Sequence, residues 1–199
     1  ADLVREDVFR GQRAMQIPLE PHVSLARVES DGRITIWTAN QAPHYVQHQL
    51  SRVLDVPMGR IRVVKPAMGG GFGGKAEATS LDFCSVILAR KTGRPVLMEF
   101  SRKETFYHGR GRHAQVIRLK TGVRKDGTLL AVHADILLDG GAYTSFGIIT
   151  AYYSGVMLTT PYRLPNFRFD GKRVYTNLPA CGAMRGNGTP QPRFAFESQ

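Results

Sequence analysis

Cysteine is nearly absent. Cys84 and Cys181 are the only two in 199 residues, 97 positions apart, which excludes a disulfide framework and a zinc or iron–sulfur centre built from cysteines. Long apolar runs are missing as well. No stretch approaches the roughly 18 uninterrupted apolar residues of a membrane span, and the first residues do not read as a leader, so a soluble, cytoplasmic protein is expected. The six histidines offer ligand spacing only at His44 and His48, with no third ligand, so no protein-held metal is expected. Basic residues are plentiful, 27 against 16 acids for a net charge of +11, but they are scattered. With no reader motif and no basic helix, nucleic acid is not the expected partner; an acidic subunit or a phosphorylated cofactor or substrate suits the charge. The chain begins at Ala1 and stops in Phe-Ala-Phe-Glu-Ser-Gln, where an amphipathic segment has only begun. Both ends read as cuts in a longer chain.

What is present is a mixed pattern. Residues 33 to 38 alternate as a strand, and Asn40 is placed to cap a helix that starts at Pro43 and turns Val46, Leu50, Val53 and Leu54 inward. A second strand is predicted over 60 to 65, a helix over 77 to 91 with Leu81, Cys84 and Leu88 inward and a stop at Gly93 and Pro95, and a third strand over 95 to 101. Segments 115 to 123 and 128 to 138 form a predicted hairpin about Asp126-Gly127. A short helix near 147 to 157 and a strand over 167 to 175 complete an α+β chain of mixed sheets and short packed helices, expected as one compact body.

The densest signal is Met68-Gly69-Gly70-Gly71-Phe72-Gly73-Gly74-Lys75, five glycines in six positions between a strand and a helix. Backbone without Cβ atoms can approach a ligand, adopt positive φ, and aim amide N–H groups at oxyanions beside a helix N-terminus. Two readings stay open on spacing alone. Gly69, Gly71 and Gly74 satisfy G-x-G-x-x-G, and Glu99 ends the next strand where an acid can meet a ribose hydroxyl, as in a nicotinamide-binding Rossmann dehydrogenase. Phe72 is bulky for that role.

The ordered set of segments separates them. MGGGFGGK at 68 to 75 resembles the signature loop of the molybdenum hydroxylases of the xanthine oxidase family. PLEPH at 18 to 22, TANQAPH at 38 to 44, KTGRPV at 91 to 96, GRH at 111 to 113, DGGAY at 139 to 143 and TNLPACGAMRGNGTPQPRFAFE at 176 to 197 look like segments of the same family in the same order. The resemblance implies part of the molybdopterin-binding region of a larger subunit, with molybdenum held by the pterin dithiolene and not by the protein. It implies the cytosine dinucleotide form of that cofactor, FAD and [2Fe-2S] clusters on partner subunits, and a dimer of heterotrimers. Gly70, Gly71, Phe72, Gly73 and Gly74 match the stretch that approaches the metal's ligands, Arg185 matches the arginine at the cofactor, and Gln41 matches a family glutamine but reads equally well as a capping residue. A further glutamine is expected just before PLEPH, where Gln12 and Gln16 straddle the aligned Ala14. The family's general-base glutamate is expected beyond Gln199, so no catalytic residue is assigned within these residues and the fragment alone is expected to be inactive.

On the substrate side the chain departs from the purine-oxidising members. Ala76 replaces their glutamate after the loop lysine, Tyr153 aligns with their pocket arginine, and Asn187 replaces their stacking phenylalanine. Tyr153, or its neighbour Tyr152, then becomes a candidate hydrogen-bond donor to substrate, with plain packing as the alternative. These features look closest to the 4-hydroxybenzoyl-CoA reductase branch, which implies reductive dehydroxylation of an aromatic CoA thioester; oxidative hydroxylation of aldehydes or N-heterocycles is the alternative within the family.

Overall fold

A computed structural model describes residues 1–199. The chain divides into two units, Gln16–Gly109 and a second made of Ala1–Met15 with Arg110–Gln199. Each has its own sheet and core, where the sequence suggested one body. The two sets of buried side chains do not merge.

In the unit spanning 16–109, strands β2 (Val23–Val28), β3 (Ile34–Thr38), β4 (Ile61–Val64) and β5 (Val96–Glu99) lie in the order β4-β3-β2-β5. β2 runs antiparallel to β3 and β5, and β3 runs parallel to β4. Helices α1 (Pro43–Leu54) and α2 (Ser80–Thr92) cover one face, burying Ala26, Ile34, Ile36, Val46, Leu50, Ile61, Val86 and Ala89. A short helix α3 (Arg102–His108) follows, held by a Ser101–Glu104 capping box that the periodicity did not reveal.

The helix faces need correction. In α1 Val46 and Leu50 are buried and Leu54 packs half-buried against the core as expected, but Val53, in the last turn of the helix, is exposed. In α2 the inward stripe is Leu81, Asp82, Ser85, Val86 and Ala89, while Cys84 and Leu88 face out. Small and polar residues on the buried side, among them Ser85 bonded to Ser24 Oγ at 3.1 Å, hide this face from a count of apolar positions. The helix also begins later than predicted, where Thr79 and Asp82 form a capping box. Asn40 is not the cap of α1. That position is Ala42, whose N–H donates to Asn40 Oδ1 at 2.7 Å, an Asx-type turn leading into the helix.

The other unit holds β1 (Leu3–Gly11), β6 (Ala114–Val123), β7 (Leu129–Asp139) and β8 (Asn166–Val174) in that order across the sheet. The β6–β7 hairpin forms as predicted, with Gly127 at φ +86° in the turn. β7 and β8 are parallel, joined through α4 (Gly147–Val156), and α5 (Pro190–Ser198) packs on β1 and β6. Ile117, Leu119, Val132, Ala134, Ile136 and Leu138 form the core beneath these helices. No helix is long and apolar enough to cross a membrane.

Leu50→Ala is expected to cost about 2–5 kcal/mol, whereas Cys84→Ser and Leu88→Ser should stay within about 0.5 kcal/mol. Denaturant unfolding of the three variants distinguishes the observed α2 face from the predicted one.

Candidate functional site

The glycine loop leaves β4 and reverses direction within seven residues. Gly70 and Gly73 take φ of +94° and +93°, and between them Phe72, a residue with a Cβ, sits at φ +50°. That conformation costs about 1–3 kcal/mol and persists only where the surroundings over-determine it.

They do so from two sides. The Gln41 carboxamide oxygen accepts from the N–H of Gly73 at 2.8 Å and of Lys75 at 3.3 Å, and the Gln41 N–H donates to Lys75 O at 2.7 Å. A methyl group at Gly71 would stand 2.5 Å from the same Gln41 oxygen, so glycine is required there by close approach. From the opposite side comes the PLEPH segment. Glu20 accepts from the Gly69 N–H at 2.9 Å through Oε2 and from Lys75 Nζ at 2.6 Å through Oε1, and its own N–H donates to Gly69 O at 3.2 Å. His22 Nε2 lies 3.0 Å from Gly74 O; a carbonyl only accepts, so Nε2 carries the proton.

Lys75 is wholly buried, a position tolerated because Glu20 neutralises it. Burial raises the Glu20 carboxyl, but the Lys75 ammonium and the Gly69 amide outweigh that effect and hold it below its ordinary value. Burial lowers His22, with the Gly74 carbonyl only partly opposing it. The N–H groups of Gly70, Gly71 and Phe72 are not among the braced ones. Three successive backbone donors lie within the bend, with both Glu20 oxygens already engaged, a chemistry suited to an anionic, oxygen-bearing group. Gln16 packs against Gly74, where a methyl would stand 2.9 Å from its Cδ. Of the two glutamines straddling Ala14, Gln16 is therefore the one beside the loop; Gln12 belongs to the other unit.

The Rossmann reading fails on topology. The strands on either side of the loop, β4 and β5, are opposite edges of the sheet and not neighbours, whereas the dinucleotide fold needs them adjacent. Nor does the loop open a helix: α2 starts at Ser80 with its first N–H groups already capped.

The remaining candidates lie in the second unit. Arg185 is exposed at the start of a loop shaped by Gly186 at φ +78° and Gly188 at φ +80°, and Arg112 Nη2 donates to its backbone oxygen. Asn187 is turned inward, its Oδ1 accepting from Thr150 Oγ1 at 2.8 Å, while Ser154 Oγ donates to Gly188 O at 2.9 Å. The loop is thereby fastened to α4. That helix also carries Tyr152 and Tyr153, both exposed, with ring centroids 5.8 Å apart. Beneath them His113 is pushed down to about 4 by burial and by Arg173 and Arg13, and burial pushes the Cys181 thiol up to about 11. Neither is poised for chemistry near neutrality. No group of three or more His, Cys, Asp or Glu is arranged to hold a metal ion. Sequence reasoning missed Glu20, His22 and Lys75 as loop-bracing residues. The quoted PLEPH segment was their only signal.

The fold has close counterparts. The aldehyde oxidoreductase of Desulfovibrio gigas superposes with a TM-score of 0.91 at 31% identity, over 98% of this chain and 22% of that one. The family model described as molybdopterin cofactor-binding domain matches residues 1–199, and the chain belongs to that family. Among curated relatives, the large molybdopterin subunit of nicotinate dehydrogenase from Eubacterium barkeri is 36% identical over all of this chain and 46% of its own length. A putative xanthine dehydrogenase molybdenum-binding subunit of Escherichia coli is 41% identical over 90% of this chain and 24% of its own. The chain thus spans between about a quarter and a half of these relatives.

Acid should loosen the loop. Both Glu20 and His22 are depressed in the folded protein, so their contributions are complete above the ordinary values of 4.5 and 6.5 and are lost as pH falls through the depressed ones. Thermal midpoints measured from pH 7.5 to 4 should fall, and E20Q, which leaves a buried ammonium unpaired, should be destabilised by about 3–5 kcal/mol at pH 7.

Proposed function

We propose that this chain is the cofactor-holding part of a molybdenum-dependent oxidoreductase subunit, and that the Gly70–Gly74 loop is its cofactor site. The observation that carries the reading is the run of three amides at Gly70, Gly71 and Phe72 that take no part in the bonding of the bend, between limbs tied by Glu20 and Gln41. Such preorganised donors bind anionic oxygens without reorganising. Gln41 contributes in the same sense. Its oxygen is occupied by the loop, which leaves its carboxamide N–H2 as the donor offered to a ligand. The bound molybdopterin, in its cytosine dinucleotide form, supplies the two-electron chemistry of the molybdenum, and this chain supplies charge compensation, orientation and exclusion of water. Arg185 is a cofactor contact in its own right, its planar guanidinium presenting several donors to oxygen ligands. FAD and [2Fe-2S] clusters on partner subunits, assembled as a dimer of heterotrimers, accept or deliver the electrons, and the general base is a glutamate elsewhere in the subunit.

For the substrate, we infer an aromatic group met by Tyr153 or Tyr152, whose phenols are exposed on α4. Asn187 is assigned to shaping the floor of that loop, because its oxygen is spent on Thr150. The narrower reading is reductive removal of the hydroxyl from 4-hydroxybenzoyl-CoA. Oxidative hydroxylation of an N-heterocycle or aldehyde is favoured by relatives named for nicotinate, xanthine and aldehyde.

Metal and pterin analysis of the purified complete enzyme should show molybdenum with a cytidine nucleotide; an enzyme that turns over without molybdenum overturns the reading. Arg185→Ala should lower metal content or turnover by about tenfold, the loss of one or two charge-assisted hydrogen bonds. Benzoyl-CoA formed from 4-hydroxybenzoyl-CoA with a low-potential donor supports the narrower substrate, and turnover of nicotinate or an aldehyde in its place selects the oxidative one.

A further inference from the structure

One carboxylate holds both ends of the glycine loop. Glu20 Oε2 takes the amide at the start of the bend, Gly69, and Oε1 takes the Lys75 ammonium at its end, at 2.9 and 2.6 Å. The contact is close along its length, since a methyl at Gly69 would stand 2.6 Å from Glu20 Cβ. Gln41 serves the far limb alone, through Gly73 and Lys75. Within the bend the Gly74 N–H donates to Gly71 O at 2.8 Å, and among the side chains Glu20 is the one bonded to both Gly69 and Lys75.

Stability is a poor reason for such a pair. Placing an ammonium where Lys75 is wholly buried sacrifices its hydration, and a well-packed apolar pair of similar volume generally does as well or better for the fold. What an apolar pair cannot do is fix distance and direction. A carboxylate offers two coplanar acceptors at a set separation and a negative charge, so it can receive an N–H and neutralise an ammonium at once, whereas a carboxamide carries no charge. The Gly71–Gly74 turn bond closes locally over Phe72 in its left-handed conformation, and the Glu20 tie restrains the longer span from Gly69 to Lys75 that carries this turn and the Gly70, Gly71 and Phe72 amides.

We propose that Glu20 is the positioning residue of this loop: by joining Gly69 to Lys75 through the two oxygens of a single carboxylate, it keeps the three amides between them aimed as one donor set and thereby governs how firmly the cofactor is retained. The inference rests on the loop being the cofactor site. Glu20 itself touches neither cofactor nor substrate in this assignment; it acts through the backbone.

The test compares wild-type holoenzyme with E20M/K75M, which removes both carboxylate ties, leaves the backbone bond from residue 20 to Gly69 O in place, and leaves no buried charge unpaired. Thermal unfolding should change by only a few degrees. Molybdenum per subunit after gel filtration should fall below about half of wild type, and amides 70–72 should exchange with deuterium about tenfold faster in the cofactor-stripped protein. Should the double variant not accumulate, K75M alone removes the side-chain link to Glu20 while Gly69 stays held and Gln41 keeps the far limb, and the same two readouts apply with smaller shifts. Unchanged metal retention and unchanged exchange in a folded variant would overturn the proposal and leave the pair a structural one. A wild-type enzyme without molybdenum would instead remove the cofactor reading, while the exchange arm would still decide whether Glu20 positions the loop.

Discussion

The bend from Gly69 to Lys75 is held by the side chains of Glu20 and Gln41 and by its own Gly71–Gly74 turn bond, and the N–H groups of Gly70, Gly71 and Phe72 take no part in that bonding. Its limbs are tied by Gln41 on one side and by Glu20 on the other, while the tip keeps three donors unspent. The cost falls on Phe72, which is held at positive φ, and on Lys75, which is buried with a single counter-ion. Both costs are tolerable because β3 and β4 anchor the ends of the neighbouring segments to a sheet covered by α1 and α2.

The second unit solves a related problem differently. Its loop at 184–188 is not tied by a charge pair but pinned by neutral hydrogen bonds to α4, through Thr150 to Asn187 and Ser154 to Gly188. Burying polar groups there is affordable only when partners exist. Gln191 reaches His113 O at 2.9 Å and Arg173 reaches Gly140 O at 2.8 Å. This polar packing leaves Arg185, Tyr152 and Tyr153 as the groups exposed on that side. A chemically quiet interior, with His113 and Cys181 both held away from neutral titration, suits a scaffold whose reactivity is imported with its cofactor.

Where sequence reasoning went astray, the cause was local. Counting apolar positions placed Cys84 and Leu88 inward, yet α2 buries Ser85 and Asp82, whose hydrogen bonds substitute for apolar contact. A glycine pattern and a following acid allowed a dinucleotide fold, but strand adjacency is a property of the sheet and not of the spacing. Gln41, read as ligand or cap, also braces the loop through its oxygen, a contact that no local pattern signals.

The sequence by itself determined the α+β class, the hairpin about Asp126-Gly127, and the place of the glycine-rich bend, because turn chemistry, alternation and glycine density are written over a few adjacent residues. Tertiary structure alone decided that there are two cores, that β4 and β5 are opposite edges, and that Glu20 meets Gly69 and Lys75 across about fifty positions of sequence. Those are matters of which distant groups share one place, and no local pattern of residues encodes the burial and charge pairing that select it.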